Sequence, residues 1–341
     1  MLNLDRLRAL HAVSAHGSII AAAETLNVTT SAVSQQLAKL ELETGQTLLE
    51  RHGRGVRLTD AAAALVSRTQ RVLSLLEEAE AELETTDSAV AGQVTIAAFA
   101  TAARGLAPQA IRSLRKKYRQ LGITFHEQEP HESIPRLVRR DVDLIIINDW
   151  QNAPIALPEG LTKAPLFDDV ADIALPPGHR LLGAKSIRLS DLSGEEWIAW
   201  PSGSICHDFL LHTLRKEGHE PKIAHTAAEY ETQLALVAAG LGCCVLPRLG
   251  RGSVPAGVTV VQSEPALRRR VYAAWRTHAT RRAVIQATVE EFQIAGKQLA
   301  ATSRILPHSS QAGTPSSQPD RRSRPRSRSR RSASPGRRAE S

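Results

Sequence analysis

Apolar positions along the first sixty residues recur at helical spacing and are cut by short punctuation. Leu4, Leu7, Leu10 and Val13 fall every third residue before Gly17, which predicts an amphipathic helix ended by a glycine. Ser18 can cap a second helix, IIAAAETL, whose Ala21, Ala22 and Ala23, with Ile19 and Leu26, let a crossing helix come close. Asn27 suits the left-handed turn that ends it, and Thr29 the cap of a third. Within Leu26 to Gly45, Val33, Leu37 and Leu40 make a narrow apolar face, while Ser31, Ser34, Gln35 and Ala38 share another, with Thr30 beside it. That second face is polar, uncharged and short-chained. Hydroxyls and amides of this reach suit base edges and phosphate oxygens in a major groove, where a merely solvated face would carry Glu and Lys. Two helices joined by a tight turn, after a first helix, are the helix-turn-helix arrangement.

After Gly45 the period changes. Leu48-Leu49 and Val56 to Leu58 flank His52-Gly53-Arg54-Gly55, which predicts a small hairpin or wing, with Arg51, Arg54 and Arg57 on it as phosphate contacts. From Asp60 to about Asp87 there is no Pro or Gly, and Thr59 or Asp60 can cap the helix this predicts. Leu65, Thr69, Val72, Leu76, Ala79 and Leu83 follow a heptad spacing with Leu73 alongside, a seam most simply buried against a partner helix, with packing onto its own domain the alternative. Two such heads would read two half-sites of a roughly palindromic operator.

Beyond Gly92 strands and helices alternate. Val94 to Phe99 reads as a strand, followed by a loop containing Thr101 and a helix with Leu106, Ile111 and Leu114. Ile123 to Phe125 is the next strand, His131 to Arg140 a helix, and Val142 to Ile147 a fully apolar strand. Leu161 to Leu175, Glu196 to Trp200, Ile223 to Thr226, Gly242 to Leu246 and Val258 to Val261 are further strands, and Arg270 to Trp275 is one that returns late. Alternation of this kind predicts an α/β unit on a parallel sheet, and the late strand suits a two-lobed domain whose chain crosses over and comes back.

Composition narrows the picture. The 341 residues carry a formal net charge of +8, but all of it lies in residues 303–341, which hold ten Arg and no Lys against Asp320 and Glu340. The preceding part is neutral, and residues 1–60 balance six basic against six acidic side chains, so a high pI is no argument for DNA binding there. With almost no apolar residue after Leu306, the Ser/Pro/Arg-rich tail is expected to be disordered, either a solubilising extension or a sequence-independent clamp on phosphates. MLNLDRLRAL is too charged for a signal peptide and no run of about 18 apolar residues occurs, so a soluble cytoplasmic protein with no membrane partner is expected. Cys206, Cys243 and Cys244 are too few and too unevenly placed for a disulfide framework. Cys243 and Cys244 read as buried small hydrophobes, and Cys206-His207 lacks a second pair at metal-ligand spacing, so neither metal nor cofactor is expected. There is no G-x-S-x-G, Walker-type phosphate loop, G-x-G-x-x-G or H-E-x-x-H, which fits binding rather than turnover.

One ordered series spans the amino-terminal part: Ala22-Ala23, Leu26, Thr29 to Leu37 (TTSAVSQQL), Leu40-Glu41, Gly45, Leu48-Leu49, Arg51 and Leu58-Thr59. It resembles the signature of LysR-type transcriptional regulators. Ile19 and Leu49 stand where phenylalanine is common in that family, Ala62 where glycine is, and Thr30 where glutamine is. The later region, through Gly92 to Thr101, Leu137 to Ile146, Pro177-Gly178-His179 and Leu236 to Pro247, resembles the family's effector-binding part, itself similar to periplasmic solute-binding proteins. Together these cover about residues 3–296.

The resemblance implies an α-rich winged helix-turn-helix over 1–60, a dimerising linker helix over 61–90, and a two-lobed, periplasmic-binding-protein-like α/β regulatory domain over 91–302. Lobe I would take about 91–165 plus 266–302 and lobe II about 166–265, with 303–341 a tail. Thr29, Thr30, Ser31, Ser34, Gln35 and Lys39 would read DNA, with Arg51, Arg54 and Arg57 on its phosphates. A small-molecule effector would sit in the cleft, near Thr101, Ala102, His131, Asn148, Ser202, Ser204, Glu229, Tyr230 and Thr232. That set holds no arginine, and Asn148 stands where some family members place one, which weakens the expectation of a strongly anionic effector. The implied partners are double-stranded DNA, a second copy of the chain in a dimer or tetramer, and RNA polymerase. A two-lobed binding protein or enzyme without a gene-regulatory role is the alternative.

Overall fold

The apolar stripe of the first helix is the floor of the amino-terminal module. In a computed structural model, which describes residues 2–26, 28–52, 55–84 and 90–305, helix α1 (Leu4–His16) is capped by Asn3, whose side chain accepts from the Asp5 and Arg6 amides. It ends on Gly17 in the left-handed conformation, φ 64°. Helix α2 (Ile19–Thr25) starts after Ser18, but the Ser18 side chain makes no capping bond. The helix is held instead by burial of Ala22 and Ala23. Asn27 lies outside the described residues. Helix α3 (Thr30–Thr44) has the predicted cap, with Thr29 Oγ1 accepting from Ala32 N at 3.2 Å. Its Val33, Leu37 and Leu40 enter a common core with Leu7, Leu10 and Val13 of α1.

Strands β1 (Leu49–His52) and β2 (Gly55–Leu58) form the predicted hairpin, antiparallel with Leu49 opposite Leu58. Glu41 ties it to α3 by accepting from the Leu48 and Leu49 amides at 2.7 and 3.3 Å. Helix α4 (Asp60–Glu84) is capped by Thr59, which accepts from Ala62 N at 3.2 Å. The heptad seam divides on folding. Thr69 and Leu73 are buried, whereas Val72 and Leu75 are 41% and 63% exposed. At 3.6 residues per turn, one stripe of α4 packs on α1 and on the 3-10 turn Thr277–Ala279, and the neighbouring stripe is left outside.

Strands β3 (Gly92–Ala98), β4 (Leu121–Glu127) and β5 (Leu144–Trp150) run parallel, joined through α5 (Ala100–Gly105), α6 (Ala107–Lys117) and α7 (Pro130–Arg139). Thr101, expected in a loop, lies in the first turn of α5, because the chain turns into helix directly after Phe99. Strand β6 (Leu161–Leu175) has the predicted limits. The segments 258–261 and 270–275, expected as two strands, are one long strand β11 (Thr259–Arg276). A register shift between Gln262 and Leu267 lets it bend without breaking its pairing to β6.

The sheet order is β10-β6-β11-β5-β3-β4, where β10 is Cys244–Pro247, and a short β7 (Ser186–Ile187) also pairs with β11. Strands β8 (Glu196–Ala199) and β9 (Lys222–Thr226) form a separate parallel pair that meets Cys243 beside β10. Two lobes result, sharing the long strands β6 and β11. One core holds Ile96, Leu114, Leu144 and Phe292, the last from α10 (Ala283–Ile305). The other holds Trp197, Phe209, Leu234 and Leu246 with helices α8 (Ile205–Lys216) and α9 (Tyr230–Ala238). Residues 306–341, and with them the expectation of a disordered tail, lie outside the described residues.

Candidate DNA-reading face and interlobe site

The face of α3 opposite its buried stripe is open. Thr29, Thr30, Ser31, Ser34, Gln35 and Lys39 are all exposed. Three of these hydroxyls have local partners: Thr29 and Ser31 share a hydrogen bond at 2.9 Å, and Ser34 Oγ donates to Thr30 O at 2.9 Å. Gln35 has no such partner among the described residues, so its amide is free to pair outward. In the wing, Arg57 donates to Glu50 at 3.0 Å, an exposed pair that phosphate can displace at little cost. Arg54 and the side chain of Arg51 lie outside the described residues.

Where the lobes meet, register builds a line of side chains across three strands. Trp150 of β5 stands opposite Arg269 of β11, which stands opposite Asp169 of β6. Arg269 is 2% exposed. It donates to Asp169 Oδ2 through Nε at 2.9 Å and to Thr101 Oγ1 at 2.8 Å, and its guanidinium lies over the rings of Phe99 and Trp150. The other Asp169 oxygen accepts from Leu249 N at 3.1 Å. Glu129, at the cap of α7, accepts from Ala100 N at 3.3 Å, and burial raises its carboxyl above the ordinary range. Cys206 and Tyr230, in the first turns of α8 and α9, complete this surround. Burial pushes the Cys206 thiol up to about 12 and the Tyr230 phenol well up, so both stay protonated at neutral pH. Among the described residues, Asn148 Nδ2 and Gln233 Oε1 are buried without a hydrogen-bond partner.

A pocket of about 120 Å³ opens beside this line, between α5, the start of α9 and the loop after β10. Of the effector residues predicted from sequence, Thr101 and Tyr230 line it. The others do not. Ala102 is fully buried in the core of the first lobe, and Asn148 is buried within β5. His131, Ser202, Glu229 and Thr232 are exposed and form no part of the pocket wall. Ser204 caps α8, accepting from His207 N at 3.2 Å. The residue set predicted from sequence holds no arginine, whereas this pocket has arginines about it: Arg269 bonds Thr101, and Arg104 and Arg251 line the wall. The signal was present in the alternation of β11, where Arg269 precedes Val271, Ala273 and Trp275 on one buried face. All three cysteines are free and buried, and no described helix is long and apolar enough to cross a membrane.

A winged helix-turn-helix joined through a long helix to two lobes on a shared sheet defines an effector-modulated DNA-binding protein. Residues 4–63 match the family model of the bacterial regulatory helix-turn-helix protein, lysR family, and residues 87–296 that of the LysR substrate binding domain. The chain belongs to the LysR family of transcriptional regulators, which bind DNA and are modulated by effector ligands. It is 30% identical to the HTH-type transcriptional regulator CysL of Bacillus subtilis over 72% of this chain and 80% of that protein. It is 27% identical to the DNA-binding transcriptional dual regulator OxyR of Escherichia coli, over 73% of this chain and 80% of that one. A full-length OxyR structure from Pseudomonas aeruginosa superposes with a TM-score of 0.66 at 25% identity, covering 86% of this chain and 98% of that chain.

Proposed function

We propose that α3 docks in the major groove, with Gln35, Thr30 and Ser31 at base edges, and Thr29, Ser34 and Lys39 beside the backbone. The arginines of the wing, Arg51, Arg54 and Arg57, then hold phosphates. The observation that carries this reading is the open polar face of α3, short-chained and uncharged but for Lys39, directly opposite its buried stripe. The exposed Val72 and Leu75 of α4 support self-association of the chain through this helix, as a dimer or as a tetramer built from dimers. Residues 1–60, 61–90 and 91–302 act as reader, coupler and sensor, with 303–341 outside that scheme. The protein works in the cytoplasm on chromosomal DNA, contacts RNA polymerase at its promoters, and performs no turnover of its own.

A small molecule in the interlobe site changes operator binding or promoter activation only if it binds one arrangement of lobes or subunits more tightly than another. Selection of bound sequences from a random DNA library tests the reading. Enrichment of a two-fold-related pair of half-sites is expected, and recovery of unrelated sequences overturns it.

A further inference from the structure

We propose that the pocket between α5, α9 and the loop after β10 takes a small zwitterion, a free amino acid with a short aliphatic side chain. This rests on the reading of the interlobe site as the effector site and names its ligand class. The argument turns on which charges around the pocket a ligand can take over. Arg269 and Asp169 are both buried and bound to each other, so separating them would strand a charge out of water. Arg251 is committed to Asp172 at 2.8 Å and to the Leu246 carbonyl at 2.6 Å, and Arg248 holds the other Asp172 oxygen at 2.7 Å. Among the described residues of the wall, one charged pair is open to solvent. Arg104 of α5 meets Glu231 of α9 with side chains 38% and 57% exposed, where solvent screens the attraction and little is lost on parting.

Arg104 belongs to one lobe and Glu231 to the other. A ligand bearing carboxylate and ammonium one carbon apart can enter between them, the carboxylate taking the guanidinium and the ammonium taking the Glu231 carboxylate. One ion pair is replaced by two, with charge balanced. A simple anion satisfies Arg104 but leaves the Glu231 carboxylate facing it, and a simple cation has the converse fault. Leu234, Leu246 and Leu249 supply an apolar wall for the side chain. A volume of about 120 Å³ is well below the ~300–1,000 Å³ of drug-sized sites, so the side chain must be short. A ligand bridging the lobes in this way favours the arrangement that brings Arg104 and Glu231 to its two ends, which is the differential binding a switch requires.

The test uses the full-length protein in calorimetric titrations with L-alanine, L-valine and L-leucine. Propionate, isovalerate and isobutylamine serve as the probes that lack one charge. At least one of the amino acids is expected to bind ten or more times as tightly as the acids and the amine. Arg104→Gln and Glu231→Gln are each expected to cost tenfold or more, with Arg104→Lys and Glu231→Asp falling between these and the parent. Equal binding of isovalerate and valine overturns the zwitterion, as does normal valine binding by both Gln variants. If no amino acid binds while a broad metabolite screen finds another compound that shifts operator affinity, this inference fails and the effector reading stands. If no compound of any class shifts operator affinity, both fail.

Discussion

At the scale of single residues, the reading face depends on groups that are not spent within the chain. Ser34 and Thr29 satisfy local backbone, whereas Gln35 presents an amide that can bond an adenine edge in two places. Gln35→Ala is therefore expected to cost about 1–3 kcal/mol on the selected operator and little on random DNA. Fluorescence anisotropy on both duplexes measures this, and equal losses would remove Gln35 from base readout. Glu129 offers a test in the sensor. Burial raises its carboxyl pKa, with the Ala100 amide and Arg269 opposing, so the folded chain holds the proton more tightly than the unfolded chain does. Its contribution to stability is full below the ordinary carboxylate range and is lost as pH rises through the raised folded value. Glu129→Gln keeps an acceptor for Ala100 N and removes the titration. It should raise the melting temperature at pH 7, and the gap should close toward pH 4; a gap that widens on acidification contradicts the assignment. The cap at Thr29 was legible in sequence because its partner is three residues away. The Arg269–Thr101 bond was not, because its residues are 168 positions apart and meet only once β11 returns beside β5.

At the scale of elements, α4 shows why a heptad pattern announces a buried seam without fixing what covers it. The spacing of Leu65, Thr69, Val72 and Leu76 announces a helix with more apolar surface than one neighbour needs, but not how it is shared. In the fold, Thr69 and Leu73 turn toward the rest of the chain, while Val72 and Leu75 face out. Contacts to the regulatory part steer the division: Arg140 donates to Ser74 at 3.4 Å, and Glu78 pairs with His278 of the 3-10 turn. A charge on the outer stripe thus separates partner binding from folding. Leu75→Glu is expected to weaken self-association tenfold or more in sedimentation analysis, and to change monomer unfolding by no more than about 0.5 kcal/mol. Strong destabilisation with unchanged association would place Leu75 in the chain's own packing. The long strand β11 carries a related lesson. Its two apolar halves were both visible, and what joined them is a bend at Gln262 to Leu267 that reads locally as a break.

At the scale of the whole molecule, the charge is separated along the chain. The part that folds into reader, coupler and sensor is neutral overall, and residues 303–341 carry the full net +8. If α3 and its wing select the operator as proposed, they do so from an amino-terminal part whose charges balance over residues 1–60, and the tail can contribute only a term that ignores sequence. Deleting residues 307–341 removes nine arginines and spares α10. If those arginines neutralise phosphates, the slope of log affinity against log salt should become shallower by about 0.9 for each phosphate no longer neutralised. Random DNA should lose at least as much affinity as the operator, so the ratio of specific to non-specific binding stays level or rises. The difference between full-length and shortened protein should shrink as salt increases, since fewer counterions are left to release. Anisotropy titrations from about 50 to about 300 mM salt on operator and random duplexes separate the contributions: a shallower slope on both identifies a phosphate clamp. An unchanged slope would leave the wing arginines holding the phosphates and the tail without a part in binding.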